Sequence, residues 1–103
     1  MDAETRYEAL CDDLLARNGD LVRTKMMGMP SLKLNGKLVA GFVPAEGAAV
    51  FKLTDAASRE DALAIDGAHL FEPMGGRQMK EWVVVPAAQA ARWPDLANAA
   101  IGN

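Results

Sequence analysis

The sequence has one cysteine, Cys11, and one histidine, His69, far apart in the chain. A reactive thiol needs an exposed, electropositive setting or a base beside it. Cys11 instead adjoins the apolar positions Leu10 and Leu14, where a free cysteine acts as a small hydrophobe. His69 stands alone before a strand, and no His/Cys cluster exists that would ligate a metal. The acidic pairs Asp12-Asp13 and Glu60-Asp61 are sequence neighbours, which point apart on a helix, so they read as solvated faces rather than a carboxylate dyad. Gly75-Gly76-Arg77 offers backbone N–H groups and a guanidinium to an anion. It lacks the Gly-Lys-Ser/Thr ending and the strand-loop-helix setting of a phosphate loop, and its simpler reading is a mobile hairpin tip. No catalytic residue, metal or cofactor is expected from these patterns.

What remains is a recognition chemistry. Met26, Met27, Met29, Met74 and Met79 cluster in two stretches, and methionine suits adaptable apolar contact surfaces as well as core filling. If the two stretches adjoin, they form a soft patch beside Lys25, Arg77 and Trp82. The candidate ligand- or partner-binding residues are therefore Lys25, Met27, Gly28, Met29, Gly76, Arg77, Met79 and Trp82, with Lys80 and Glu81 as further polar groups.

The elements that must position these residues follow from the chain of 103 residues, read as a single domain over 1–103. Half of the residues are hydrophobic and 24% are charged, an ordinary balance for a folded globule. The net charge of -3 argues against non-specific binding to nucleic acid or anionic membrane, which needs clustered Lys and Arg. Residues 1–7 carry Asp2, Glu4 and Arg6 with no apolar run behind them, so no signal peptide is expected. No apolar run reaches membrane-spanning length. The expected compartment is the cytoplasm.

Tyr7, Leu10, Leu14 and Leu15 recur at helical spacing, predicting a helix over 3–18 that stops at Asn18-Gly19. Leu21–Met26 reads as a strand, interrupted at Gly28 and Pro30. Ser31–Leu34 and Lys37–Val43 flank Asn35-Gly36, a two-residue hairpin signal in which both positions need positive φ. Pro44–Gly47 is a turn and Ala48–Leu53 a strand. Thr54 or Asp55 caps a second helix that ends at Asp66-Gly67, and Ser58–Asp61 resembles a capping box. Strands over 68–72 and 80–85 flank a loop over 73–77. Pro86–Arg92 reads as a helical turn or two, and Pro94 starts a last helix through Ile101. The expected fold is α+β, a two-layer sandwich with an antiparallel sheet in the order α-β-β-β(-β)-α-β-β-α.

A sheet with helices on one side should alternate apolar and polar residues. Leu38–Val43 and Trp82–Val85 are apolar on both faces. A two-residue turn at Asn35-Gly36 puts Leu32, Leu34, Val39 and Gly41 on one face and Leu38, Ala40 and Phe42 on the other. The latter three are read as an interface, and a homodimer is the expected cover, as the commonest soluble assembly.

Two stretches carry a family resemblance. Thr24–Ala40 has a basic residue and a Met-Gly loop, then a strand, an Asn-Gly turn and a strand. Leu70–Pro86 has a Gly-rich loop followed by a strand with a Met-x-x-Trp pattern ending in Pro. Both resemble the TfoX N-terminal domain family, related in fold to YjbR/MmcQ-like proteins. The resemblance implies a two-layer α/β sandwich and no established reaction. The functional expectation is a non-catalytic, self-associating binding domain. The alternative is a binder of anionic small molecules, or a small enzyme, using the loops near Lys25 and Arg77. Nucleic-acid binding, by analogy with the family name, is disfavoured by the charge.

Overall fold

The computed structural model describes residues 2–73 and 76–102. Asp2 caps α1 (Ala3–Arg17) by accepting from the Thr5 amide at 2.8 Å. This satisfies one of the free N–H groups that open every helix. Tyr7, Leu10, Cys11 and Leu14 form its buried face.

Six antiparallel strands follow: β1 (Leu21–Met26), β2 (Met29–Leu34), β3 (Lys37–Val43), β4 (Ala48–Lys52), β5 (His69–Phe71) and β6 (Met79–Pro86). They lie in the order β1-β2-β3-β4-β6-β5. Between β4 and β5 runs α2 (Ala56–Leu63). Of the two candidate caps, Asp55 is the one used: its carboxylate accepts from the Ser58 amide and hydroxyl. A 3₁₀ segment over Ala87–Arg92 leads into α3 (Trp93–Ile101). The last helix starts at Trp93, with Pro94 in its first turn and left-handed Gly102 at its end. The fold is the α+β architecture anticipated, with the order α-β-β-β-β-α-β-β-α.

All three helices pack on one face of the sheet. Their buried residues join Leu32, Ala40, Phe42, Phe51, Val83 and Val85 in one core. Tyr7 lies against Phe42 with ring centroids 5.6 Å apart. The Trp93 indole donates to the Val85 carbonyl at 3.1 Å and ties α3 to the sheet. Burying an aromatic of this size with its one donor satisfied is the favourable case for tryptophan.

Two expectations are corrected here. First, Pro30 does not interrupt the strand. It lies in β2 opposite Lys25, and Met27-Gly28 is itself a two-residue hairpin turn. Met27 and Gly28 take φ of 51° and 81°, matching Asn35 and Gly36 at 51° and 82°. The backbone thus makes the same kind of turn twice, once with the residue that suits it and once with methionine. Second, Leu38, Ala40 and Phe42 do not share a face. The register slips between Leu32 and Lys33, so Leu32 pairs with Ala40 while Lys33 pairs with Leu38. Val39 is the extra residue of a bulge, and such a slip reverses every side chain beyond it. Ala40 and Phe42 are buried under the helices, while Leu38 packs on the opposite face.

That opposite face holds a second core of Met29, Val43, Ala48, Val50, Phe71, Trp82 and Val84, flanked by Met26, Leu38 and Met79. No helical residue contributes to it. Small residues line its centre: a Cβ at Gly41 would sit 3.2 Å from the Ser31 hydroxyl and 3.4 Å from Val50. Most of the apolar residues of β3 and β6 are therefore buried within one chain, while Leu38 is half-buried.

Candidate functional site

Around the rim of this second core the sheet leaves two adjoining hollows. The larger, about 780 Å³, is lined by Lys52, Thr54, Arg59, Pro73, Arg77, Gln78, Met79, Lys80, Glu81 and Trp82. Its position follows from the β4–β6 pairing, which sets Lys52 directly opposite Trp82. Side chains directly opposite on antiparallel strands share a face, so the end of β4 contributes an ammonium beside the indole. Arg59 comes from α2 and is braced by donating to the Leu53 carbonyl at 3.0 Å. Arg77 comes from the segment that leads into β6, and Lys80 from the start of β6 itself.

The groove has a pronounced charge imbalance. Four cations line it against the single carboxylate of Glu81, in a chain whose net charge is -3. None of the four makes an ion pair among the described residues. The ion pairs found there are Arg17–Asp13, Arg23 with Glu8 and Asp12, and His69–Glu46. Like charges gathered without counter-charges repel one another, and an anion that relieves this binds the folded state. Trp82 and Met79 give the groove an apolar floor between the cations.

The second hollow, about 560 Å³, shares Pro73 with the first. It is lined by Met27, Gly28, Met29, Val43, Pro44, Ala45, Glu46, Phe71 and Glu72 besides. Its interior is apolar, and its only charged lining groups are the two carboxylates. Glu46 is fixed by His69, whose Nε2 lies 2.7 Å from its Oε1, while Nδ1 faces the Leu70 carbonyl at 2.9 Å. Both ring nitrogens face acceptors, so only the imidazolium donates to both. The Leu70 carbonyl contributes most to raising the His69 pKa; burial opposes it, and the Glu46 and then Glu72 carboxylates add to the rise.

The candidate residues thus divide between the two hollows. Arg77, Met79 and Trp82 line the cationic groove; Met27, Gly28 and Met29 line the apolar one. Lys25 is exposed on β1 and lines neither, and Gly76, exposed in its loop with φ of 78°, lines neither. Met74 and Gly75, part of the loop singled out above, lie outside the described residues. Lys52, Thr54 and Arg59 are additions that the sequence did not single out. The one local hint is Lys52, a charge closing an otherwise apolar strand.

Other reactive groups are inert by placement. Burial pushes the Cys11 thiol up to about 11, so almost no thiolate exists at neutral pH. The Tyr7 hydroxyl is buried with no hydrogen-bond partner, and burial followed by the nearby Cys11 pushes its pKa upward. No group of His, Cys, Asp and Glu among the described residues forms a metal site. No helix among them is long and apolar enough to cross a membrane. Compared with protein-family models, curated proteins and solved structures, the chain matches none of them.

Proposed function

We propose that this is a non-catalytic binding domain whose ligand is anionic and sits in the groove of Lys52, Arg59, Arg77 and Lys80. The observation that carries the reading is four cations around one groove with no ion pair among the described residues, in an acidic chain. Glu81 and Thr54 supply an acceptor and a hydroxyl at the rim, and Trp82 supplies an apolar surface for the body of a ligand. We read the chain beside the TfoX N-terminal domains on the resemblance of Thr24–Ala40 and Leu70–Pro86, which implies a two-layer α/β sandwich. Self-association would use surfaces other than Ala40 and Phe42, which the helices already cover.

Thermal melts with citrate, pyrophosphate and octanoate at matched ionic strength test the reading. A ligand at ten times its Kd stabilises by about 1.4 kcal/mol, which for a chain of this length raises Tm by about 6 °C. The R77A/K80A double variant should lose most of that rise. No shift with any of these anions, or equal shifts in the double variant, would remove the groove as an anion site.

A further inference from the structure

The two hollows meet at Pro73, and they differ in kind: one cationic, the other apolar. At the lip of the apolar hollow stands Met27, 64% exposed and one of two large exposed hydrophobics among the described residues, Val22 being the other. Its backbone is left-handed at φ 51°, a conformation that suits Gly, Asn or Asp and disfavours methionine. The neighbouring hairpin solves the same turn with Asn35. Met27 therefore breaks a local rule twice, in backbone and in exposure, with only about a third of its surface buried in return. Departures of this kind gather at functional surfaces.

We propose that the ligand is a free single-chain amphiphile. Its anionic head sits among Arg77, Lys80 and Lys52. Its alkyl tail crosses Pro73 into the hollow of Met29, Val43 and Phe71, where Met27 closes over it. This rests on the anion-binding reading above and extends it to a ligand class. Head and tail each meet the hollow that suits them, and the flexible thioether of Met27 adapts to a tail of variable length. Glu46 and Glu72, the only charged groups lining the apolar hollow, repel a second anionic group, so a ligand charged at both ends is disfavoured.

The test is a titration of the folded chain with alkanoates from hexanoate to decanoate below their micelle concentrations, with citrate as a compact anion. Affinity should rise about fourfold per added methylene. Met27→Asn should weaken decanoate about fivefold or more, as the loss of a buried thioether contact would, and leave citrate unchanged. R77A/K80A should weaken every ligand. Binding that is independent of chain length but lost in R77A/K80A would overturn the amphiphile and leave the anion site standing. Absence of binding by any anion would overturn both readings. Sedimentation with phosphatidylglycerol vesicles, or a dimer that Met27→Asn dissociates, would put a membrane or a second copy at the lip and overturn the proposal.

Discussion

Met27→Asn should make the protein more stable, although it replaces an apolar residue with a polar one. A left-handed conformation costs an ordinary L-residue roughly 1–2 kcal/mol, and asparagine much less. Against this, Met27 is 64% exposed. About a third of the 1.5–3 kcal/mol available from burying a methionine is at stake, so the loss is about 0.5–1 kcal/mol. The net gain is about 0.5–1 kcal/mol, and the unfolding entropy of a chain this long turns that into a Tm rise of about 2–5 °C. Asn35-Gly36, the same turn in the same sheet, serves as the internal reference. Calorimetry or a denaturant melt read by circular dichroism measures it, with an unchanged m-value showing that only stability moved. A fall of several degrees would mean that the Met27 side chain packs within the fold, and the case for its being held out as a contact residue would collapse.

Tyr7→Phe should be neutral or stabilising by about 1 kcal/mol in a urea melt, because it removes a buried hydroxyl left without a partner while keeping the ring against Phe42; clear destabilisation would show that the hydroxyl is satisfied in solution. His69 should titrate above its ordinary value of 6.5. The pair with Glu46 then contributes fully below about pH 6.5, and the contribution fades as pH rises through the elevated pKa. His69→Gln should flatten that window by a few tenths of a kcal/mol at most, because both side chains are largely exposed and solvent screens the pair; an NMR titration midpoint below 6.5 would contradict the geometry. Cys11, buried at 1% exposure, should resist a thiol reagent in the native state and react promptly in denaturant.

The parts of the fold that were readable in the sequence are those with local chemistry. Asn35-Gly36 marked a hairpin, Thr54-Asp55 a helix start and Asn18-Gly19 a helix end, and each is found in place, with Asp55 the cap. The Met27-Gly28 turn was not readable, because methionine carries no turn signal and Pro30 suggested a break. The faces of β3 were misassigned for a non-local reason. One extra residue at Val39 changes the register, and nothing in the apolar run Leu38–Val43 marks where that residue falls. Half of the site was visible as Arg77, Met79 and Trp82. The other half, Lys52 and Arg59, joins it through the pairing of β4 with β6, which sets Lys52 opposite Trp82 far along the sequence, while Arg59 is held near Lys52 by a local bond to the Leu53 carbonyl. The cationic character of the groove exists only after folding brings those stretches together.

The most direct test of the anion groove is an NMR titration of the labelled protein with decanoate and with citrate, following the two tryptophan indole N–H signals. Trp82 lines the groove, whereas the Trp93 indole is buried and bonded to the Val85 carbonyl. The account predicts saturable movement of the Trp82 indole and of the Lys52, Arg77 and Lys80 amides, with the Trp93 indole still. Movement of neither indole, or shifts centred away from these residues, would contradict it.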